Sequence, residues 1–387
     1  MKPRIVFATT VFQDVATGPG MYAQYLWQAF GDDPEIEFHL VAPAAEERHP
    51  RLHTLDAADT AGSIYERIAH RALQVAGQRE GTIIHSNAAH ASGAFVGYAG
   101  PWAVQVNDYE VADVTRHMAA TLLGKGPRRL ASLLWRRRQE RRVVAATCEV
   151  VCNSQYTRQR VLDAYGADAD RVCTIYKAVD TQAFKRPAAL GADPLGGRKG
   201  PRIALVGTNW QLKGLDTLLK AMPRLLHRHP RATLAVAGAP RDSVNVRMID
   251  LYRRLNLGDS VTFVGRLDRS ALAAMLWHSD LFVLPSRCEG FGVAVLEAMG
   301  AGVAVVASNV GGLPEIVGHR WGVLVEPDQP QALAEAIDAL LSDDARRGQL
   351  AAAGPQRAGE FDLQHMISGV RALYSRLNGG GDRQQHG

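Results

Sequence analysis

Short apolar, β-branched runs recur along this chain with helix-like stretches between them, and they come in two series. The first is IVFATTVF from Ile5, EFHLVA from Glu37, TIIHSN from Thr82, WAVQVND from Trp102, EVVCNS from Glu149 and VCTIYKAV from Val172. The second is RIALVGT from Arg202, ATLAVAG from Ala232, SVTFVG from Ser260, LFVLPS from Leu281, AVVAS from Ala304 and GVLVEP from Gly322. Continuous apolar runs alternating with helices are the signature of parallel strands covered on both faces. Two series of about six strands predict an α/β protein with two Rossmann-like, doubly wound sheets, each offering a ligand-ready edge at the carboxyl ends of its strands. The stretch KRPAALGADPLGGRKGP between them is rich in Pro and Gly and lacks apolar periodicity, which marks a linker. The expected organisation is an N-terminal domain over 1–186, a linker over 187–200 and a C-terminal domain over 201–360, facing each other across a cleft.

A chain of 387 residues is too long for one ordinary core, and 47% hydrophobic with 21% charged residues suits a globular protein. The last residues, 379–387, have nothing to bury and are expected to form a mobile tail. Cys148, Cys152, Cys173 and Cys288 include no C-x-x-C pair, so neither structural zinc nor a disulfide framework is expected. The opening MKPRIVFATTVFQD loses its apolar character at Gln13 and Asp14, with no small-residue cleavage site, and reads as a first strand. No run reaches the length of a membrane-spanning helix. The expected location is therefore the cytosol.

Net charge is +5, which suits a partner carrying phosphate and would suit nucleic acid equally well. Seven arginines, Arg128, Arg129, Arg136, Arg137, Arg138, Arg141 and Arg142, crowd one stretch. Leu130, Leu133, Leu134, Val143 and Val144 supply the apolar component of a helix there. Two readings stay open: a solvated face of an ordinary helix, or a patch that holds an anionic acceptor or settles on anionic lipid at the inner face of the cell membrane.

The densest motif is SRCEGFGVAVLEAMGAGVAVVAS, from Ser286 to Ser308. It predicts a buried strand ending at Leu284, a Gly-rich turn, and a short helix starting at Gly292. A helix N-terminus offers free N–H groups and the positive end of its dipole to a phosphate. Gly290 and Gly292 remove side chains that would obstruct a ligand. Glu289 in the loop and Glu297 in the helix can both face one bound molecule.

The stretch from Glu289-Gly-Phe-Gly to Glu297-Ala-Met, followed by NVGGLPEIV from Asn309, closely resembles the signature of retaining GT-B enzymes in glycosyltransferase family 4. The resemblance covers nearly the whole chain and is far closer in the second half. It implies that Glu297 binds the donor ribose, Glu289 the donor sugar, and the amides of Gly292 and Val293, after Phe291, the diphosphate. TGPGMYAQYLWQAF, with Gly18 and Gly20, is similar to the family's N-terminal Gly-rich loop. Without the family, Gly18-x-Gly20-x-x-Ala23 is also a loose dinucleotide fingerprint. VGTNWQLKGLDTLLKAM resembles the loop that brings a basic pair to the diphosphate, with Lys213 as the matching lysine. FVGRLDRSAL resembles the loop beside the nucleotide base, at Arg266 and Leu267. The last helix, over 361–378, resembles the one that packs back on the N-terminal domain.

The chain departs from the family at three places. Asn107-Asp108 stands where His-Asp is common, so a role at Asn107 must be orientation by hydrogen bonding. Thr208 and Asn209 replace a basic residue ahead of Lys213. Lys177-Ala178 replaces Asn-Gly, and Lys177 either faces the cleft, where it partly replaces the missing arginine or holds an anionic acceptor, or is an ordinary solvated lysine. Asp168-Ala-Asp170 matches a metal-binding D-x-D, but Asp before a strand commonly serves its own turn.

The resemblance implies a retaining, metal-independent hexosyltransferase without a cofactor. It would move a sugar from a nucleotide diphosphate donor to a glycan or lipid-linked acceptor, in bacterial surface polysaccharide synthesis. Glu289, Lys213, Asp108 and Asn107 are the candidate catalytic residues. A phosphorylase or epimerase on the same fold, and a nucleotide-sugar-binding scaffold that has lost catalysis, are the alternatives.

Overall fold

A computed structural model describes residues 2–13, 18–55, 62–77, 79–107, 127–196, 200–238 and 246–379; the side chains of 127–133 and 246–247 are not described. Packing divides the chain into two units, Met1–Lys177 with Gln364–Gly387, and Ala178–Leu363.

In the first unit, β1 (Arg4–Ala8), α1 (Gly18–Phe30), β2 (Glu37–Ala42), β3 (Leu52–Thr54), α2 (Ile64–Ala76), β4 (Thr82–Ser86), β5 (Trp102–Val106), α3 (Pro127–Ala146), β6 (Glu149–Cys152), α4 (Gln155–Tyr165) and β7 (Val172–Thr174) follow one another. Its strands pair in parallel in the order β3-β2-β1-β4-β5-β6-β7. Every residue of β4 and β5 is buried, as continuous apolar runs in a doubly covered sheet require. β3 has no counterpart in the sequence reading. It is a half-buried edge strand of 3 residues, too short to show alternation.

The second unit runs α5 (Thr181–Phe184), β8 (Arg202–Val206), α6 (Leu215–Arg228), β9 (Thr233–Ala237), α7 (Val246–Arg254), β10 (Val261–Gly265), α8 (Arg269–Trp277), β11 (Leu281–Leu284), α9 (Val293–Gly300), β12 (Ala304–Ser308), α10 (Leu313–Val317), β13 (Val323–Val325), α11 (Pro330–Leu341) and α12 (Asp344–Gly359). Its parallel order is β10-β9-β8-β11-β12-β13. α6 shows why the helices lie on the sheet. Leu215, Leu218, Leu219, Met222 and Leu225 fall on one helical face and are fully buried. Each such burial contributes about 1.5–3 kcal/mol. Residues 178–186 pack with this unit, because Trp277 Nε1 donates to the Phe184 carbonyl at 2.9 Å and Arg269 meets Asp180 at 2.9 Å.

The last helix, α13 (Leu363–Gly379), lies almost wholly in the first unit. Tyr374 is buried against Phe30, and its hydroxyl is 3.0 Å from His85 Nδ1. Burial pushes His85 down to about 3, so the ring stays neutral. Arg371 pairs with Asp33 at 2.6 Å and Arg376 with Glu149 at 3.1 Å. Tyr374→Phe would remove the ring's hydrogen bond inside this core, a loss of about 1–3 kcal/mol. The expected tail beyond Gly379 lies outside the described residues.

On α3, Val143 and Val144 are buried, whereas Leu134 is 58% exposed and stands beside Trp135 at 57%. The sequence reading counts Leu134 in the apolar component of the helix; the structure turns it outward. Arg137, Arg138, Arg141 and Arg142 are exposed. Arg136 turns inward instead, 3.4 Å from the ring of His90, so it does not belong to the outward patch. The side chains of Arg128 and Arg129 are not described. No described helix is long and apolar enough to cross a membrane.

Candidate functional site

In an open parallel sheet, ligands bind where neighbouring strands send their chains in opposite directions, beyond the carboxyl ends. In the second unit that point lies between β8 and β11. The loop after β8 carries Lys213 and the loop after β11 carries Glu289, and the sheet order places these loops side by side. The Lys213 ammonium meets Glu289 Oε2 at 2.5 Å, with the two side chains 23% and 12% exposed. Ser286 Oγ donates to the same carboxylate at 3.4 Å.

Close backbone packing fixes both loops. Gly214 has φ +68, and a Cβ there would stand 1.9 Å from the Pro285 carbonyl oxygen. Gly311 has φ +59, and its Cβ would stand 1.7 Å from the Glu289 carbonyl oxygen, which accepts the Gly312 N–H at 3.0 Å. The sequence NVGG is therefore the seat of Glu289.

Gly292 caps α9 with φ +114, and no side chain satisfies the helix start. Helix geometry leaves the first-turn N–H groups without intrahelical partners, so those of Gly292 and Val293 can donate to an anion. Phe291 is buried against Phe361, with ring centroids 5.6 Å apart, which anchors the turn from below.

Glu297 lies on the buried side of α9, 7% exposed. Burial pushes its carboxyl up to about 7, with Arg269 opposing. No hydrogen bond joins it to Glu289 or Lys213 among the described residues, and the two glutamates share one strand-loop-helix element. Thr208 and Asn209 are exposed in the loop after β8, where Asn209 shapes the turn by accepting the Lys213 N–H at 2.9 Å. Arg266 is exposed and Leu267 half-buried in the loop between β10 and α8.

Sequence reasoning missed Arg287. Its guanidinium holds Asp216 with two bonds of 2.6 and 2.8 Å, Asp328 at 2.7 Å and the Gln211 carbonyl at 2.6 Å. Burial raises the Asp216 carboxyl, but hydrogen bonds and charge from Arg287 outweigh it and hold the group below the ordinary range. Asp216 and Asp328 lie 112 residues apart in sequence, so no local pattern announces the cluster.

In the first unit, the switch point lies between β1 and β4. Polar side chains line the strand ends there. Asn87 Nδ2 donates to Thr9 Oγ1 at 3.2 Å and to the Pro19 carbonyl at 3.1 Å. Asn107 Nδ2 donates to the Asn87 carbonyl at 2.8 Å, and Asn153 Nδ2 to the Asn107 carbonyl at 3.3 Å. Asn107 Oδ1 is buried without a hydrogen-bond partner among the described residues. Asn87 and Asn153 were also missed, although three strand runs ending in Asn are a readable signal. Asp108 lies outside the described residues.

Gly18 and Gly20 occupy the first turn of α1 rather than a loop, because the helix begins at Gly18. Lys177 is buried, and its ammonium reaches the space a Cβ on Gly18 would enter, at 3.0 Å. At the same sheet edge, Ala8, Thr10, Ile68, Ser86 and Phe95 line a small recess with room for about one water molecule.

Among the described residues, no group of three or more His, Cys, Asp or Glu is arranged to hold a metal. Asp168 accepts the Asp170 N–H at 3.0 Å, which gives it the local turn role.

Residues 18–183 match the family model described as Glycosyltransferase Family 4, and residues 196–357 match that of Glycosyl transferases group 1. D-inositol 3-phosphate glycosyltransferase of Rhodococcus opacus (strain B4) is 33% identical over 247 residues, 61% of this chain and 54% of that protein. The chain thus spans about half the length of the curated relatives it matches. Sucrose-phosphate synthase from Thermosynechococcus elongatus superposes with a TM-score of 0.78 at 22% identity, covering 98% of this chain and 100% of that one. Anabaena HepE in complex with UDP-glucose gives 0.76 at 19% identity, covering 96% and 99%. At these identities the likeness shows the fold, which is GT-B.

Proposed function

We propose that this chain, which belongs to the group 1 and family 4 glycosyltransferases, moves a hexose from a nucleoside diphosphate donor to an acceptor hydroxyl with retention of configuration. The observation that carries this reading is the Lys213–Glu289 pair, 2.5 Å apart, at the switch point that also presents the uncapped start of α9. A diphosphate needs positive charge and N–H donors, and a sugar needs a carboxylate to accept from its hydroxyls. All three stand together in the second unit.

In this mechanism the diphosphate draws Lys213 from Glu289 and also accepts the amides of Gly292 and Val293. Glu289 is then free to accept hydrogen bonds from the sugar. Glu297 serves the ribose, and Arg266 and Leu267 flank the base. As the bond from anomeric carbon to diphosphate oxygen breaks, Lys213 and the amides stabilise the negative charge that develops. The acceptor hydroxyl attacks from the face the diphosphate leaves, and its proton passes to the departing diphosphate oxygen. Lysine and amides supply the electrostatics, so neither a metal nor a cofactor is required.

In the first unit, Asn107 orients the acceptor by hydrogen bonding, and Lys177 beside Gly18 holds an anionic group on it. The exposed Leu134, Trp135 and four arginines of α3 rest on anionic lipid at the inner face of a bacterial membrane, which suits surface polysaccharide synthesis.

HepE's complex with UDP-glucose makes that nucleotide sugar the first donor to try. The test follows release of nucleoside diphosphate from a panel of nucleotide sugars, with and without glycan, lipid-linked and D-inositol 3-phosphate acceptors. Release that requires an acceptor, with a new glycosidic product of retained configuration, supports transfer. Interconversion of the donor sugar without an acceptor would replace this reading with an epimerase.

A further inference from the structure

Arg287 stands two residues before Glu289, and it binds the main chain of the two residues before Lys213. Its own N–H donates to the Leu212 carbonyl at 2.8 Å, while Nη1 donates to the Gln211 carbonyl at 2.6 Å. Arg287, which lies in the Glu289 loop, thus ties that loop to the one carrying Lys213 by one backbone and one side-chain hydrogen bond. The remaining fork is occupied by Asp216, in the first turn of α6, and by Asp328, in the loop between β13 and α11.

Stability alone does not account for this cluster, since buried ion networks are commonly neutral or worse against apolar packing. Two features point to placement instead. Asp328 is a non-glycine residue held at φ +58, a conformation that persists when its surroundings fix it, and its carboxylate is held by the Arg287 guanidinium. The loops also meet backbone to backbone at Gly214 and Pro285, so a shift in one is passed directly to the other. A lysine at this position would keep the charge but lose the planar fork that reaches two carboxylates and a carbonyl at once.

We propose, on the reading that Lys213 and Glu289 bind the donor, that Arg287 is a positioning residue. It holds the loop after β8 against the loop after β11, so that the Lys213 ammonium meets an incoming diphosphate at the correct distance from Glu289.

The test is a double-mutant cycle on the full chain, with dissociation constants measured by calorimetry for UDP, GDP and ADP. Arg287→Lys should keep its far-UV circular dichroism and weaken the tightest-binding nucleotide by about tenfold, yet by less than about twofold in the Lys213→Ala background. Equal weakening in both backgrounds, or none in the first, overturns the proposal, because a purely structural role would not depend on Lys213. Should Arg287→Lys fail to fold, Asp328→Asn removes one anchor and must show the same dependence on Lys213. Nucleotide affinity unchanged by Lys213→Ala itself would instead remove the donor-site reading, and with it the proposal.

Discussion

The ammonium of Lys213 and the carboxylate of Glu289 form an ion pair of 2.5 Å at the carboxyl edge of the second sheet. The two charges neutralise each other, and on the proposed donor reading a diphosphate would exchange with Glu289 for the lysine. Partial exposure of both side chains leaves that exchange open.

Glu289→Ala is therefore expected to lower turnover by about 10²–10³-fold while the protein remains folded. Steady-state rates beside a thermal unfolding curve check this. A variant with full turnover would contradict the role of Glu289.

The buried carboxyl of Glu297 gives stability a pH dependence. Its value rises from 4.5 to about 7 on folding, so the folded state binds this proton more tightly than the unfolded state. The contribution is fully present below pH 4.5 and is lost as pH rises through 7. The loss amounts to about 3 kcal/mol. Urea unfolding between about pH 5 and pH 8 should show a flatter profile for Glu297→Gln than for the unaltered chain. Parallel profiles would contradict the shift.

Gly311→Ala places a Cβ 1.7 Å from the Glu289 carbonyl oxygen at a residue whose φ is +59. The clash is with backbone, so the Glu289 loop must move. We expect a stability loss of at least about 2 kcal/mol. Turnover should fall with it, and a variant matching the unaltered protein in both would show that this contact does not seat Glu289.

The outward face of α3 predicts binding to vesicles of phosphatidylglycerol that weakens with salt and is absent for phosphatidylcholine alone. Arg138→Glu with Arg142→Glu should abolish it, since each basic residue near such a surface contributes about 1 kcal/mol. Sedimentation with vesicles measures this, and equal binding to both lipids would contradict it.

Much of this architecture was legible because a doubly covered parallel sheet writes its strands as uninterrupted apolar runs. Twelve of the strands were found in this way, and β3 was not, because its residues Leu52 to Thr54 form a half-buried edge. Lys213, Glu289 and Gly292 were legible because each belongs to a contiguous motif. Arg287 was not, since its partners Asp216 and Asp328 are brought to it only by folding. Lys177 was legible as a departure from the family pattern, but its burial beside Gly18 depends on contact between distant segments.

Thermal unfolding with a panel of nucleotide sugars, for the unaltered chain and for Lys213→Ala, tests the central claim most directly. A donor at a hundred times its dissociation constant should stabilise the unaltered chain by about 2.7 kcal/mol and the variant far less. A panel in which no nucleotide sugar protects, or one that protects both proteins equally, would contradict the assignment of Lys213 and Glu289 to the donor.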